Sequence, residues 1–173
     1  MRTVLLWVWL FAVPVLPAQA DDWLNWRKVG DATLKWGPFT VYHSQLRSPD
    51  GHFHGLRHSQ ALIITYQRSI DRTDLVDATR EQWQAMGRLQ PQSETWLRRL
   101  NALWPDVSKG SQLAFVLHEG KGQFWYRASS TQTGFTPLGP HQSTAFSENF
   151  LAIWLDPRTR YPELRQQLIG GKQ

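Results

Sequence analysis

A run of aromatic and aliphatic residues near the C-terminus, over 143–155, repeats with helical spacing. Its largest apolar side chains fall at i, i+4, i+7 and i+8, which places them on one side of a helix. They are Phe146, Phe150, Ile153 and Trp154. Asp156 and Pro157 follow directly and interrupt the pattern. The run therefore predicts an amphipathic helix that packs against a core.

Three further segments have the spacing and the flanking residues of helices. The first covers 72–86 and has Asp71 in a position to cap it. The second covers 93–103, and Ser93 is the residue expected to open it. A short last helix covers 162–168 and is followed by glycine. The chain therefore predicts two helices in its middle and two at its C-terminal end.

Five short segments rich in β-branched and aromatic residues predict strands: 32–36, 39–46, 61–66, 113–118 and 123–127. Gly37-Pro38 separates the first two, which predicts a hairpin or a bent strand pair, and the glycine-containing stretch 119–122 separates the last two, which predicts a hairpin. The stretch after the last strand, up to Gln142, is predicted as a polar connector. Strands, two helices, a hairpin and two helices in this order predict an α+β domain.

The first 20 residues have the pattern of a secretory signal peptide. Arg2 precedes an apolar run over 4–15, and residues 17–20 supply the small side chains that signal peptidase prefers. The apolar run is shorter than the roughly 20 residues needed to cross a bilayer, and a polar stretch follows at once. We therefore expect a cleaved signal over 1–20, one domain over 21–173, no membrane span after cleavage, and export to the periplasm.

Composition argues against several classes of function. The formal net charge is +5, but lysine and arginine are scattered, without the basic run of a nucleic-acid binder. The absence of cysteine excludes disulfides, zinc-thiolate sites and cysteine nucleophiles. There is neither a G-x-S-x-G motif nor a glycine-rich phosphate loop. The sequence therefore predicts no nucleic-acid partner and no cofactor, while the 10 tryptophans suit a dense core or an aromatic-lined cavity.

The one histidine cluster of the sequence comprises His52, His54 and His58. A His-x-His pair can present two imidazoles to a metal when its backbone is extended. The surrounding residues 47–58 are rich in glycine and other turn formers, which predicts a loop. A solvated or pH-titrating loop is therefore the favoured interpretation, and no metal site is predicted.

Short segments that span most of residues 28–170 carry a family resemblance. They are Val29-Gly30, Phe39-Thr40-Val41-Tyr42, Leu62 to Tyr66, Leu75 with Thr79-Arg80-Glu81, Trp104-Pro105-Asp106, the second hairpin, Phe146-Ser147, Ile153-Trp154-Leu155 and Leu168-Ile169-Gly170. In this order they resemble the chalcone isomerase-like superfamily, and its bacterial exported branch more closely than the plant enzymes. The resemblance implies an open-faced β-sandwich, with helices on one face of a large antiparallel sheet and a ligand cleft between sheet and helices.

The resemblance also implies where functional groups should lie. In the plant enzymes an arginine, with threonine, tyrosine and asparagine donors, stabilises the enolate that develops during flavanone ring closure. In this chain Tyr42 replaces the strand threonine, and the helix tyrosine and asparagine fall near Asp74 and Glu81. Ser147 keeps the hydroxyl of the last helix position. An acidic pair thus replaces a pair of donors, which argues against flavonoid isomerisation.

The counterpart of the arginine is left open among Arg27, Lys28 and Lys35. The leading hypothesis is a non-catalytic binder of a small amphipathic molecule such as a fatty acid, whose carboxylate Lys35 and Tyr42 would hold. An alternative is an isomerase with Lys35 or Arg27 as the cation and Tyr42 and Ser147 as donors. A third hypothesis is an envelope protein-interaction module that uses the open face of the sheet.

Overall fold

The computed structural model describes residues 22–171, and the predicted signal over 1–20 lies outside the described residues. A short 3-10 helix, Asp22–Asn25, comes first. The strands are β1 (Arg27–Trp36), β2 (Phe39–Ser48), β3 (Gln60–Tyr66), β4 (Gln112–His118), β5 (Lys121–Arg127) and β6 (Thr136–Gln142). The helices are α1 (Arg72–Ala85), α2 (Ser93–Leu103), α3 (Thr144–Leu155) and α4 (Pro162–Leu168).

The strands form one antiparallel sheet in which neighbours in sequence are also neighbours in space. Its order is β1-β2-β3-β4-β5-β6. Helices α1 and α2 are inserted between β3 and β4, and α3 and α4 follow β6. The predicted β4-β5 hairpin is present, and β1 and β2 form a hairpin rather than a bent strand pair. The predicted α+β class and the antiparallel sheet are therefore confirmed.

All four α-helices contribute side chains to a core on one face of the sheet. Alternate strand residues face this core because side chains alternate across a strand. Its centre is aromatic: the rings of Phe115, Phe124 and Phe146 lie 4.7 to 6.1 Å apart. Helix α3 is buried on nearly every side, so it is more central than the amphipathic pattern predicted.

A smaller core lies on the opposite face of the sheet. The ring of Trp23, in the 3-10 helix, lies 5.0 Å from that of Phe135 and 6.0 Å from that of Trp125. Beneath them are residues of β3 and β4 such as Ile63 and Val116. The middle strands are consequently buried on both faces, which explains why β3 is a continuous apolar run rather than an alternating one.

The prediction of a polar connector up to Gln142 was wrong for its last part, because β6 pairs with β5 there. This strand contains Pro137, Gly139 and Pro140, and it lacks the alternation that identifies a strand. Proline is accepted on an edge strand, where one row of backbone groups has no partner strand. The pairing also has a register irregularity between Gly122 and Phe124, a feature that only the paired backbone defines.

Two helix caps differ from their predictions. Asp71 occupies the N-cap position of α1, but its side chain makes no capping hydrogen bond. Instead, the Oδ1 atom of Asp106 accepts a hydrogen bond from the backbone N–H of Arg72 at 2.9 Å. Ser93 lies inside α2 rather than at its cap, and its Oγ accepts a hydrogen bond from the backbone N–H of Gln90. The start of α1 is therefore held by Asp106, which sequence spacing did not indicate, whereas Ser93 is at the start of α2 as expected but accepts from the backbone before the helix.

The β4-β5 turn places its two glycines in different roles. Glu119 and Gly120 have φ of 50° and 77°, which is the pattern of a two-residue hairpin turn. Gly122 lies in the strand instead, and a Cβ there would collide with Ser147 Oγ and Phe115. Glycine at 122 thus lets α3 approach the sheet closely.

Within residues 22–171, no helix combines the length and the apolar character that crossing a bilayer requires.

Candidate ligand site

A cavity of about 180 Å³ lies between the sheet and the helices. Most of its wall is apolar and comes from β1 to β4, α1 and α3, with residues such as Leu34, Ile64 and Phe150. Its polar groups are the side chains of Tyr42, Tyr66, Asp74, Thr79, Gln82 and Tyr161 and the indole N–H groups of Trp104 and Trp154, of which that of Trp104 has no partner among the described residues. An apolar cavity with a few convergent polar groups is the usual form of a small-molecule site.

Two tyrosines lie side by side in the wall of this cavity because of strand register. Tyr42 in β2 lies directly opposite Tyr66 in β3, so the two side chains share a face of the sheet. Their ring centroids are 6.3 Å apart with an interplanar angle of 73°. Both side chains are buried, and both line the cavity. The register of one strand pair thus creates the site.

The two hydroxyls have protons to donate. Tyr42 Oη accepts a hydrogen bond from Trp154 Nε1 at 2.9 Å, which leaves its own proton unused. Tyr66 makes no side-chain hydrogen bond to any residue of the described chain. Burial raises the pKa of both tyrosines well above the ordinary value. Tyr42 and Tyr66 are therefore neutral hydrogen-bond donors at physiological pH.

The remaining polar groups are placed around the wall and the mouth. Thr79 donates to the carbonyl of Leu75 at 2.9 Å, so its hydroxyl proton is used within α1. Gln82 donates to Tyr161 Oη at 3.4 Å, and its buried Oε1 has no partner among the residues described. Asp74 is exposed in the first turn of α1 and brings an acid to the mouth. No lysine, arginine or histidine of residues 22–171 lines this cavity.

Of the five predicted site residues, the structure places Tyr42 and Asp74 at the cavity and the other three elsewhere. Lys35 is exposed, because it follows Leu34 in β1 and alternation points it away from the helices. Glu81 is exposed on α1 and does not join Asp74 at the cavity. Ser147 is fully buried, and its Oγ donates to the carbonyl of Ser143 at 2.7 Å.

None of the three candidate cations lines the cavity. Arg27 and Lys28 begin β1, at the end of the strand away from Leu34. Lys28 forms an exposed ion pair with Asp31 at 2.8 Å. The cation and donors that an isomerase would need are therefore not brought together in this arrangement.

Sequence reasoning missed Tyr66, Gln82, Tyr161 and Trp154 as site residues. Tyr66 ended a predicted buried strand, and only its pairing with Tyr42 gives it a functional position. Trp154 was assigned to core packing, yet its indole N–H orients the Tyr42 hydroxyl. A tyrosine at the end of an otherwise aliphatic strand was the one signal that sequence offered.

The histidine loop is held by a carboxylate. Asp50 accepts hydrogen bonds from His54 Nε2 at 2.6 Å, from the backbone N–H of His52 and from Ser48 Oγ. The hydrogen bond from His54 is the main reason that the pKa of Asp50 is held below its ordinary value. Among residues 22–171, no group of three or more potential ligands has the geometry to hold a metal ion.

A wider depression of about 420 Å³ lies on the other face of the sheet. Trp23 and Trp125 line it together with the charged residues Asp22, Glu119 and Lys121. The Nε1 atoms of the two tryptophans are buried and have no hydrogen-bond partner within the described chain. The depression is open to solvent and has charged residues on its rim, whereas the cavity beneath the helices is mostly apolar and holds two buried tyrosines. The cavity beneath the helices is therefore the better candidate site.

Comparison with known proteins gives a distant relative but no family. No family model matches the chain. The chain is 24% identical over 161 residues to a protein of Haemophilus influenzae described as an uncharacterized protein. The match covers 93% of this chain and 76% of the relative. It therefore includes the strands and helices that form the cavity, and the geometry of the site remains the basis for assigning a function.

The two tyrosines should respond differently to loss of the hydroxyl. Tyr42→Phe leaves the buried Trp154 Nε1 without an acceptor, so we expect the free energy of unfolding to fall by about 1–2 kcal/mol. Tyr66→Phe removes a hydroxyl that bonds no described residue, so we expect a change within about 0.5 kcal/mol. Urea unfolding at pH 7 measures both. Equal losses for the two variants would contradict the hydrogen bonding described here.

Proposed function

We propose that this protein is an exported, chalcone isomerase-like binder of a small amphipathic molecule, and that it does no chemistry on its ligand. The observation that carries the proposal is the buried tyrosine pair in the wall of an apolar cavity. Such a cavity desolvates an apolar body, while the free hydroxyl protons of Tyr42 and Tyr66 orient one polar group.

The family part of the proposal rests on two kinds of support. The ordered sequence matches cover most of residues 28–170. An antiparallel sheet with four helices on one face, and a cavity between the layers, agrees with the architecture that the resemblance implies. The export part rests on the signal-peptide pattern over 1–20, which would release the domain into the periplasm.

The proposed absence of catalysis is supported by the charges around the cavity. Ring closure of the chalcone type develops negative charge on an oxygen, and a preorganised cation stabilises it. No cationic side chain of residues 22–171 lines the cavity, and Asp74 places an acid at its mouth. We therefore expect no chalcone turnover above that of buffer, and turnover that Tyr42→Phe abolishes would support the enzyme alternative instead.

The charges around the cavity also restrict which polar head group the ligand can have. A buried carboxylate needs a cationic partner or several donors, and here the donors are neutral. Lys35, the cation expected to pair with a carboxylate, is exposed outside the cavity. A fatty acid would therefore enter in its protonated form, and a neutral oxygen acceptor such as an alcohol, ketone or ester fits better. The carboxylate of Asp74 at the mouth also repels an anionic head group and so favours a neutral one.

Cavity size limits the apolar body. The volume of about 180 Å³ is close to that of an engineered cavity of roughly 150 Å³ that binds benzene. It is smaller than the roughly 300–1,000 Å³ of sites for drug-sized ligands. A single ring or a short acyl chain therefore fits without rearrangement of the wall, whereas a long acyl chain would extend through the mouth beside α1.

Binding of 1-octanol and octanoate compares a neutral and a charged head group on the same body. At pH 7.5 we expect calorimetry to show tighter binding of octanol, with the gap closing as the pH falls towards the carboxyl pKa of octanoate. Tyr42→Phe and Tyr66→Phe should each weaken octanol binding by about two- to tenfold, as loss of one hydrogen bond predicts.

Tyr126→Phe is the matched control, because Tyr126 in β5 packs against the core without lining the cavity. It should leave octanol affinity unchanged. Mass spectrometry of molecules released from the denatured protein then identifies the natural ligand. Absence of any released molecule, together with absence of octanol and octanoate binding, would overturn the proposal.

A further inference from the structure

The tip of the β1-β2 hairpin exposes two large aromatic side chains. Trp36 is 76% exposed and Phe39 is 65% exposed, and they flank the turn Gly37-Pro38. Among the described residues, Leu89 at 47% is the next large apolar side chain with high exposure, and it follows α1 instead. Trp36 and Phe39 stabilise no core, so their apolar surface is open to another binding partner.

Strand register places this tip on the same face of the sheet as the cavity. Trp36 lies opposite Phe39, and Leu34 lies opposite Tyr42, with a register shift between these pairs. The shift leaves Val41 as an extra residue in β2, so β1 keeps its alternation through Leu34 to Trp36. Leu34 and Val41 both line the cavity. The exposed aromatic pair therefore continues the apolar wall of the cavity to the surface.

The small size of this tip favours a lipid surface over a protein partner. Two aromatic side chains bury at most about 300–500 Å² together, whereas a stable protein interface needs about 1,000 Å² or more. Tryptophan and phenylalanine lie readily at the boundary between lipid head groups and acyl chains. Lys35 is exposed and directly precedes Trp36, on the other face of the strand, and its long side chain can bring the ammonium to an anionic head group at the tip.

We propose that the tip formed by Trp36, Phe39 and Lys35 docks on the surface of an anionic lipid bilayer. Docking places the two aromatic rings among the head groups and turns the Leu34 and Val41 end of the cavity towards the lipid. The net charge, +5 for the full sequence and +4 once Arg2 leaves with the predicted signal, adds long-range attraction to such a surface. Docking would also allow a ligand to pass between the bilayer and the cavity. That exchange rests on the proposed function, whereas docking itself does not.

Cosedimentation of the mature protein with vesicles tests this docking. Vesicles of phosphatidylcholine with phosphatidylglycerol are compared with vesicles of phosphatidylcholine alone. The double variant Trp36→Ser, Phe39→Ser should lower partitioning by about tenfold or more, as loss of two inserted aromatic side chains predicts. Lys35→Glu should lower it by about fivefold or more on the anionic vesicles, with a much smaller effect on neutral ones and at high salt.

Leu89→Ser is the control, because it removes a second exposed apolar side chain outside the tip, and it should leave partitioning unchanged. Urea unfolding and octanol binding by the double variant should match wild type, which separates failure of docking from failure of the cavity. Unchanged partitioning of the double variant, or no partitioning of the wild type, would overturn the proposal. So would a dimer in light scattering that the double variant abolishes without any vesicle binding.

Discussion

Replacing Trp83 by alanine should lower the free energy of unfolding by about 3–5 kcal/mol. Trp83 in α1 is 0% exposed, and its ring lies 5.9 Å from that of Trp96 and 6.2 Å from that of Phe146. Its Nε1 also donates to the carbonyl of Asn149 at 2.9 Å. The substitution therefore leaves a cavity among three helices and removes the hydrogen bond from α1 to the backbone of α3, and urea unfolding at pH 7 measures the loss.

Two variants separate the causes of this loss. Trp83→Phe keeps an aromatic ring in the core but removes the donor to Asn149, so we expect a smaller loss of about 1–3 kcal/mol. Trp36→Ala makes the same truncation at an exposed position and should stay within about 0.5 kcal/mol of wild type. A loss for Trp36→Ala as large as that for Trp83→Ala would contradict the burial described for these two residues.

Replacing Asp156 by asparagine should lower the free energy of unfolding by about 3 kcal/mol at pH 7. Asp156 follows α3 and accepts from Arg88 Nη2 at 2.5 Å, and both side chains are largely buried. Arg158 also donates to it through its backbone N–H at 2.7 Å. Loss of the carboxylate leaves the Arg88 charge partly buried without a counterion, which is the main cost of the substitution.

The difference in unfolding free energy between wild type and Asp156→Asn should become smaller as the pH falls. Burial favours the protonated acid, but hydrogen bonds from Arg88 and Arg158 outweigh burial and lower the pKa of Asp156 from 3.8 to about 2. Because the folded pKa is the lower one, the ion pair stabilises the protein above pH 3.8 and is lost as the pH falls towards 2. The gap between wild type and Asp156→Asn should therefore shrink by about 2 kcal/mol over this range.

Asp77→Asn is the control, because it removes one carboxylate charge from an exposed ion pair instead of a buried one. Asp77 pairs with Arg80 at 2.9 Å on the surface of α1, and its side chain is 54% exposed. Such a pair contributes about 0–1 kcal/mol. Urea unfolding at a series of pH values compares the three proteins. A gap between wild type and Asp156→Asn that stays constant down to pH 2 would show that the ion pair is not the cause.

These contacts bear on function because they hold the wall of the cavity. Trp83 and Arg88 attach the C-terminal end of α1 to α3 through Asn149 and Asp156. The N-terminal half of the same helix carries Asp74 and the mouth of the cavity. A stable attachment at one end thus positions the apolar wall while the mouth stays at the surface.

Local patterns in the sequence were sufficient for most of the elements. The helices over 72–86, 93–103 and 162–168 were predicted to within one residue at each end, because spacing, caps and glycine signals are local. The β4-β5 hairpin followed from its turn residues, and the β1-β2 hairpin was one of the two alternatives predicted for its segments. The sixth strand was missed because its prolines and glycine carry no strand pattern, and pairing with β5 alone makes it a strand.

The candidate site was predictable only in part. Tyr42 and Asp74 were identified through the family resemblance, and both line the cavity. Lys35 was expected beside Tyr42, but Tyr42 faces the helices while Lys35 lies exposed at the end of β1. Ser147 was expected at the ligand, but its hydroxyl bonds a carbonyl of its own helix, against the sheet.

By itself, the sequence determined which segments are helices and strands, the α+β class, and the absence of disulfides. These properties depend on the spacing of apolar residues and on composition, which are local or additive. The tertiary structure alone decided that Tyr42 and Tyr66 face one cavity, that no cation of the described chain joins them there, and that Trp36 and Phe39 extend its wall to the surface. Register and helix docking set these relations, because they depend on residues far apart in the chain, whose pairing one sequence does not reveal.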